Sequence, residues 1–533
     1  MLLIPFSNIL HMSLKLKNSS SLRLPLIVFS LFFIIFLFTS DGHRYTFDED
    51  LAAQQAKRIA TFSPDPSYVQ GESREFFEYP WLFPPEHNTR SICQNAILCS
   101  QASVLHSLTQ VPFMFINYHL NFLPTSDIWT IEDFDDFHYV SWRNDIDSNF
   151  TFMELTYGPF FSALSVVSFF LISRSYSFSI KSSLILVFLF GLSTMTWAYS
   201  QTSLNAVPAT FFILSGFLFY RKFQLKNSHV NLILTGIFLG LAFLTRNDSI
   251  LFIIPFFIFI LITLSRKNTK LKTFFSFVIP TVSSYLISKF FYYIRTGADN
   301  TSSVTSLPNS WTSSASSSPY LLQLFGILFS PGAGLFIFSP ILIFCFVGFF
   351  DFYKKNKFDC LLIITFVSVV ITWFAAATYW HGFNGWGPRY LLPLVAFLIL
   401  PLGASIEKRT NIFFKTSVVV LGVVGVFINL VYLLQDVSWF VWGFFGSDER
   451  GLYSLARKDD GSVFDLWINP VIIWTFEFSQ ITQSSLWLFS KPQFDIYLLK
   501  ILGTELFLGI FVISIAFLSF LLLKSIKFSD LTR

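Results

Sequence analysis

Charged residues are scarce in this sequence. Asp, Glu, Lys and Arg make up 13% of its 533 residues, apolar residues make up 53%, and the mean hydropathy is +0.59. A soluble chain of this length would form about three or four domains, each with a much more charged surface. The composition therefore excludes a soluble protein and indicates an integral membrane protein.

Cysteine is nearly absent as well. Four Cys are too few for a scaffold built on disulfides, although Cys93 and Cys99 would permit one bridge. The sequence also lacks metal-binding histidine spacings, nucleotide-binding glycine loops, heptads and internal repeats, so we predict no metal ligands. Its 71 Phe residues exclude a disordered or collagen-like chain.

Apolar runs of membrane-spanning length recur along the chain. A helix needs about 20 apolar residues to cross a bilayer, and we count twelve candidate runs. The sequence therefore predicts an all-α polytopic membrane protein with about twelve transmembrane helices. The runs begin near Leu24, Thr156, Ser182, Ser203, Val230, Ser249, Phe274, Gly332, Cys360, Pro388, Ile412 and Ile501.

Basic residues mark one side of the membrane. Since loops rich in Lys and Arg stay in the cytoplasm, the sequence predicts cytoplasmic termini and five cytoplasmic loops. Because the basic residues fall in alternate connections, they are topology signals and not a nucleic-acid site. The basic loops are residues 174–181, 221–229, 265–272, 351–358 and 406–411.

Residues 230–264 are too few for two full crossings of the bilayer. A single crossing would invert every later loop, against the charge bias. We therefore predict two short, tilted helices that meet at Arg246, Asn247 and Asp248.

This pattern also sets the boundaries of the chain's regions. Basic residues before residues 24–39 could indicate a cleaved signal peptide, but the run's length and the missing cleavage site favour a retained helix. Residues 41–155 carry 17 acidic against six basic residues. We predict a cytoplasmic amino terminus (1–23), a first transmembrane helix (24–40), a long acidic extracytoplasmic loop with amphipathic helices (41–155), a transmembrane bundle with catalytic loops (156–434), an extracytoplasmic loop (435–499), a last transmembrane helix (500–523) and a cytoplasmic tail (524–533).

Three adjacent carboxylates follow the first apolar run. Thr46 and Glu49 have the spacing of a capping box, which would start a helical pattern over residues 51–62. A carboxylate just outside the membrane can also act as a general base towards a hydroxyl, which makes Asp48 and Glu49 candidate catalytic residues. The spacing by itself leaves both interpretations open.

The connection at residues 379–390 gathers aromatic and glycine residues around one arginine. A belt of aromatic residues at the membrane interface would explain its two Trp and two Tyr, but such a belt does not require three Gly and a Pro. A tight backbone path with an arginine at a helix start suits a phosphate oxygen, so we favour a binding site. Its candidate residues are Tyr379, Trp380, His381, Trp386, Arg389 and Tyr390.

A third polar cluster lies at residues 197–208, between two apolar runs. It contains Gln201 and Asn205. These side chains could cap helices or form hydrogen bonds between helices, and a role in binding sugar or acceptor is an equally open interpretation.

These motifs, in this order along a chain of many spans, resemble those of the GT-C class of membrane glycosyltransferases. Within that class, they resemble the large group around the protein O-mannosyltransferases and the bacterial and archaeal transferases of aminoarabinose and mannose. The resemblance extends over roughly residues 24–434. The residues that carry it are Asp48 and Glu49, 240–246, 380–390, 156–159 and 330–340.

The resemblance implies an enzyme that moves a sugar, mannose or another hexose, with inversion. The donor would be a polyprenyl or dolichyl phosphate, and the acceptor a lipid, glycan or protein on the extracytoplasmic or lumenal face. Its membrane would be the plasma membrane, or the endoplasmic reticulum in a eukaryote. No cofactor is required, with a divalent cation left open.

The resemblance also implies roles for single residues. By position, Asp48 matches the catalytic acid of the family's first loop, and Glu49 is next to it. Arg389 and Arg246 would bind the donor phosphate. The residues expected to bind sugar or acceptor are Tyr379, Trp380, His381, Trp386 and Tyr390 of the matching connection, together with Gln201 and Asn205, which come from the third polar cluster and not from the resemblance.

The sequence departs from the family in its loop lengths. Residues 41–155 form a much longer first loop than in many members, which puts the identity of the acceptor in doubt. The family's large carboxyl-terminal outer domain is replaced by residues 435–499.

A transporter or flippase of lipid-linked sugars is the alternative function, because it could use the same aromatic and arginine side chains without chemistry. Alternating access usually places such a site near the membrane midplane between repeated halves, whereas the polar residues here gather on one side. A structural protein that binds a partner through residues 41–155 would leave the grouping of Asp48, Arg246 and Arg389 unexplained.

Overall fold

The protein is described by a computed structural model that covers residues 20–44, 46–61, 103–120, 123, 150–266, 271–296, 319–377, 380–382, 385–435, 473–490 and 494–531. Within these ranges the chain forms α-helices, short 3-10 helices and loops, which confirms the predicted all-α fold. The α-helices are α1 (Ser20–Phe38), α2 (Phe47–Thr61), α3 (Val104–Leu120), α4 (Thr151–Ser175), α5 (Ile180–Leu192), α6 (Met195–Tyr199), α7 (Ala206–Lys226), α8 (His229–Thr245), α9 (Ile250–Arg266), α10 (Leu271–Thr296), α11 (Tyr320–Phe329), α12 (Leu335–Phe338), α13 (Cys345–Lys355), α14 (Lys357–Ala375), α15 (Leu392–Ile399), α16 (Leu402–Lys408), α17 (Ile412–Leu433), α18 (Gln480–Ser490), α19 (Tyr497–Leu502) and α20 (Thr504–Leu531).

Seven helical segments in the described part of the chain are long and apolar enough to cross a membrane. They agree with the predicted membrane protein, while the number of twelve spans stays a prediction. Shorter apolar helices at 23–38, 180–192, 229–245 and 320–329 accompany them. The seven are 151–175, 247–266, 273–291, 357–375, 389–408, 412–433 and 504–527.

The predicted break between two short helices is present. The chain leaves α8 at Arg246, whose backbone is extended, and a 3-10 turn at Asn247–Ser249 leads into α9. With 17 residues, α8 is about 26 Å long at about 1.5 Å per residue, which is shorter than the roughly 30 Å of a bilayer core. The turn places Arg246 and Asp248 at the end of the helices.

Phenylalanine rings fill the interior between the helices. The rings of Phe366 and Phe397 lie 5.1 Å apart, and those of Phe256 and Phe366 5.0 Å apart. Aromatic pairs at such distances contribute beyond the area they bury. The high Phe content of the sequence is thus used for packing α7, α9, α14 and α15 against one another.

Glycine permits one close approach that shapes the polar end of the bundle. A Cβ on Gly158 of α4 would lie 2.4 Å from the Ser200 carbonyl oxygen and 2.6 Å from that of Thr202. Because no other residue fits there, α4 holds the loop between α6 and α7 in a fixed position. That loop carries Gln201.

Ion pairs join the basic loops at one end of the bundle. Asp351 accepts hydrogen bonds from Lys408 at 2.9 Å and Arg409 at 2.8 Å, and Arg221 pairs with Asp359 at 3.0 Å. We call this layer, formed by residues 221–229, 351–359 and 406–411, the basic end. These connections therefore lie on one side, as the charge pattern predicts; which compartment they face stays a prediction.

Candidate active site

The carboxylate-bearing helix α2 begins with the predicted capping box. Oε2 of Glu49 accepts hydrogen bonds from the backbone nitrogen and the hydroxyl of Thr46, both at 3.0 Å, and Oε1 accepts one from the Ser203 nitrogen at 2.8 Å. Glu49 is completely buried. It therefore ties the start of α2 to the loop between α6 and α7, at the end of the bundle opposite the basic end.

This arrangement separates the two candidate catalytic carboxylates. Both oxygens of Glu49 already accept hydrogen bonds from the protein, which suits a structural role. Asp48 belongs to the first turn of the same helix, and its side chain lies outside the described part of the structure. The capping interpretation of Glu49 is confirmed, and the catalytic role of Asp48 stays a prediction.

Glycines shape the loop that precedes Arg389. Gly382 and Gly387 have φ angles of 93° and 67°, a region that favours glycine. A Cβ on Gly387 would also lie 2.6 Å from the Phe338 ring. Gln480 of α18 holds the same loop, since its Nε2 donates to the Gly385 carbonyl at 3.0 Å. The tight backbone path predicted from the sequence is present.

Two arginines converge on one tyrosine ring. The guanidinium carbons of Arg389 and Arg246 lie 5.2 Å and 5.3 Å from the centroid of Tyr390, which itself stacks on Phe374 at 5.0 Å. Arg246 also pairs with Asp248 at 2.5 Å. Residues from separate loops thus form a cationic site suited to an anionic group.

Tyr199 connects this cationic site to the neighbouring aromatic residues. Its hydroxyl donates to the Trp386 carbonyl at 3.3 Å and lies within electrostatic range of Arg389 and Arg246. Burial raises the pKa of Tyr199, and the nearby arginines offset this only in part. The hydroxyl is therefore a hydrogen-bond donor at physiological pH.

Tyr432, near the end of α17, lies next to Tyr199 and closes the same space. Its ring is 4.8 Å from that of Trp386. The buried side chain of Gln201 lies beside its hydroxyl, and Asp41 and Glu49 are within electrostatic range. Together, Tyr199 and Tyr432 are therefore near both the arginines and the carboxylates of Asp41 and Glu49.

His381 is buried close to Arg389. Burial and, to a smaller extent, the positive charge of Arg389 together lower the pKa of His381 to about 3. Its imidazole is therefore neutral at physiological pH, available as a hydrogen-bonding group and not as a second cation. The Trp380 ring lies 5.6 Å from the His381 ring and 6.1 Å from the Trp474 ring.

Buried charged side chains join the exit of α1 to residues 494–500. His43 contacts Asp495 at 2.7 Å, Lys500 also contacts Asp495 at 2.7 Å, and the Tyr497 nitrogen donates to the Ser40 carbonyl. Among the described residues, Asp41, His43 and Asp495 form a group that could hold a metal ion, with ligand atoms within 4.8 Å of one another. Since His43 and Lys500 already compensate Asp495, we interpret the group as an ion-pair network that fastens residues 494–500 to the exit of α1.

Asp495→Asn is expected to destabilise the protein by about 3 kcal/mol, the cost of leaving a buried charge without its partner. Burial raises the pKa of this carboxyl, but His43 and Lys500 outweigh burial and hold the pKa well below its usual range. A lowered pKa means that the stabilisation is present at neutral pH and disappears as acid protonates the carboxylate.

Thermal unfolding in detergent at neutral and acidic pH measures this difference. The midpoints of wild type and Asp495→Asn should lie apart at neutral pH and approach each other in acid. Glu505→Gln, which removes an exposed carboxylate from the first turn of α20, is the control. Equal midpoints of wild type and Asp495→Asn at neutral pH would contradict the ion-pair network.

The structure brings most of the predicted site residues together, and adds others. Glu49, Gln201, Trp386, His381, Tyr390, Arg246 and Arg389 lie in the site, Asn205 is half-buried at the start of α7, Trp380 packs between His381 and Trp474, and Tyr379 lies outside the described residues. Tyr432 was missed, because a tyrosine at the end of a span is also typical of an aromatic belt. A polar residue within the apolar run of α17, Asn429, was the available signal.

Comparison with known proteins gives one family match. Residues 159–293 match the family model described as dolichyl-phosphate-mannose-protein mannosyltransferase. The matched segment runs from α4 into α10 and includes Arg246, but neither Asp48 nor Arg389. It confirms the resemblance predicted from the sequence motifs and the predicted enzyme class, a glycosyltransferase.

Other comparisons are more distant. A crystal structure of ArnT from Cupriavidus metallidurans bound to undecaprenyl phosphate aligns with 88% of this chain and 78% of that chain, at 11% identity and a TM-score of 0.47. A likeness at that level does not transfer an activity. No curated protein matches the chain.

Proposed function

We propose that the protein is an inverting glycosyltransferase. It transfers a sugar, mannose or another hexose, from a polyprenyl-phosphate or dolichyl-phosphate donor to an acceptor hydroxyl at the extracytoplasmic or lumenal face of its membrane. The family match supports the class of reaction, and the site supports the roles of single residues.

The order of charges in the site is the observation that carries the proposal. Arg389 and Arg246 flank Tyr390 at one side. Glu49 fixes the start of α2, and with it the backbone of Asp48, beside the loop between α6 and α7. Between them lie buried aromatic and amide side chains. A sugar phosphate with its acceptor has this sequence of parts: an anionic group, a polar ring and a hydroxyl that loses a proton.

The reaction is a single displacement. Asp48 accepts the proton of the acceptor hydroxyl while that oxygen forms a bond to the anomeric carbon. The bond between the anomeric carbon and the phosphate oxygen breaks, and its electron pair leaves with the lipid phosphate. Arg389 and Arg246 stabilise the additional negative charge on that phosphate. Attack opposite the leaving group inverts the anomeric configuration.

The remaining residues bind the two substrates. Trp386, Tyr390 and the neutral His381 offer aromatic surface and hydrogen bonds beside Arg389. Gln201, Asn205, Trp380 and Tyr379 complete the set that we assign to sugar or acceptor. The lipid phosphate is its own leaving group, so the reaction as written needs no cofactor.

A reconstituted transfer assay tests the function. Full-length protein in proteoliposomes receives a panel of radiolabelled polyprenyl-phosphate sugars, with crude lipid and peptide acceptors, in the presence and absence of a chelator. Label is expected to move from at least one donor to an acceptor. Label that only crosses the bilayer would instead indicate a flippase, and loss of transfer with chelator would indicate a required cation.

A further inference from the structure

Several buried polar atoms in the site have no hydrogen-bond partner. Within the described structure, neither Oε1 nor Nε2 of Gln201 makes a hydrogen bond of normal length and angle, and the same holds for Nε1 of Trp386 and Oδ1 of Asn429. Gln201 is 1% exposed, Trp386 2% and Asn429 0%. Since nearly all buried polar groups in folded proteins are paired, such a group of unpaired atoms indicates a ligand or ordered water.

These atoms lie around one residue, Tyr432. The Gln201 side chain lies beside its hydroxyl, and the Trp386 ring is 4.8 Å from its ring. Asn429 precedes it by three residues on α17 and therefore lies on the same helix face. Three separate elements, the loop after α6, the glycine loop and α17, thus contribute unpaired groups to one subsite.

The unpaired groups of this subsite are all uncharged. The nearby carboxylates are already engaged: Glu49 accepts hydrogen bonds from Thr46 and Ser203, and Asp41 accepts one from the His43 nitrogen at 3.2 Å. What remains is an amide with one acceptor and one donor group, an indole donor and a second amide oxygen. Neutral hydrogen-bonding groups beside aromatic rings are suited to the hydroxyls of a sugar.

The position of the subsite indicates that it would bind the sugar and not the phosphate or the acceptor. Tyr199 is within electrostatic range of Tyr432 and of both arginines, and Tyr432 is also within range of Glu49. A sugar whose phosphate is bound by Arg389 would reach the Gln201 subsite before it reaches the carboxylates. The acceptor would enter from the carboxylate side.

We propose that Gln201, assisted by Trp386 and Asn429, binds two adjacent hydroxyls of the transferred sugar and determines which sugar is accepted. The proposal rests on the proposed function. A primary amide can accept a hydrogen bond from one hydroxyl and donate to its neighbour, so a donor that lacks either hydroxyl leaves a buried polar group unpaired. Sites of this kind reject the deoxygenated analogue strongly.

The test compares the sugar donor that wild type transfers fastest with its monodeoxy analogues, in proteoliposomes. Wild type is expected to lose at least about 10-fold in kcat/KM when either of two adjacent hydroxyls is removed. Gln201→Leu should lose a similar factor with the parent donor and then treat the parent and these two analogues alike. Gln201→Asn, which keeps the amide, covers the case in which the leucine variant does not fold, and should retain part of the discrimination.

The matched control is Gln224→Leu at the basic end, where a half-buried glutamine donates to Asp359 at 2.8 Å. Discrimination between the donors should survive in this variant. If Gln201→Leu keeps the parent rate and the wild-type discrimination, the amide binds only water and the proposal is wrong.

A binding measurement separates this proposal from the transferase assignment. Wild type should bind the sugar-linked polyprenyl phosphate more tightly than polyprenyl phosphate alone, and Gln201→Leu should remove that difference. If wild type shows this difference in affinity but transfers no donor, the subsite is supported and only the proposed transfer reaction is wrong. Equal affinities of wild type for both lipids would overturn the subsite even if transfer is observed.

Discussion

Under the proposed mechanism, Asp48→Asn is expected to abolish sugar transfer and to leave donor binding intact. The substitution preserves shape but removes the base that takes the proton of the acceptor hydroxyl, and general base catalysis contributes about 10²- to 10⁴-fold. The donor phosphate is bound by arginines elsewhere in the site, so the Kd of the donor should not change. Transfer rates and donor affinity measured on the same proteoliposomes check both parts.

The neighbouring residues provide matched controls for Asp48→Asn. Glu49→Gln should mainly destabilise the protein, by about 1 kcal/mol or more, because an amide nitrogen would replace an oxygen that accepts from a backbone N–H. Asp50→Asn removes an adjacent carboxylate of the same helix turn and should retain transfer. If Asp48→Asn is active and Glu49→Gln loses transfer at unchanged stability, the general base is Glu49 and not Asp48.

Arg389→Ala is expected to weaken donor binding by about 30-fold or more. Loss of a charged partner from a desolvated phosphate site costs about 2 to 5 kcal/mol, and Arg246 is already paired with Asp248 at 2.5 Å. The donor affinity of Arg389→Lys should lie between those of Arg389→Ala and wild type, because lysine keeps the charge but loses the planar contact over Tyr390. Titration with polyprenyl phosphate lacking a sugar measures the effect on the phosphate alone.

Arg221→Ala is the control for Arg389. Arg221 also lies over a tyrosine ring, 4.4 Å from the centroid of Tyr176, and pairs with Asp359, but it belongs to the basic end. Donor affinity should therefore be unchanged in this variant. Equal losses in both variants would show that the effect of Arg389 comes from general destabilisation.

Local signals in the sequence predicted local structure well. The capping box at Thr46 and Glu49, the break at Arg246 and the glycine-dependent path before Arg389 are all present. Each depends on residues within a few positions of one another. The apolar run predicted near Gly332 was less regular than expected, because Pro340 starts a 3-10 helix between α12 and α13.

The sequence also identified much of the site, because catalytic chemistry requires particular residue types. Arg389 and Arg246 were candidates by type and by resemblance, Gln201 was one from its place in a polar cluster, and the three lie in one site. It did not reveal that Glu49 supports the loop of Ser203. That contact depends on how α2 packs against a loop distant in sequence.

By itself, the sequence determined the helical membrane class, the likeness to a glycosyltransferase family and the residue types available for chemistry. Tertiary structure decided which of them meet: the two arginines on Tyr390, the unpaired amide of Gln201 beside Tyr432, and Asp495 on His43. The reason is physical. Hydropathy, capping and glycine conformations act within a few residues, whereas a site exists only where packing brings distant segments together and withdraws their polar groups from water.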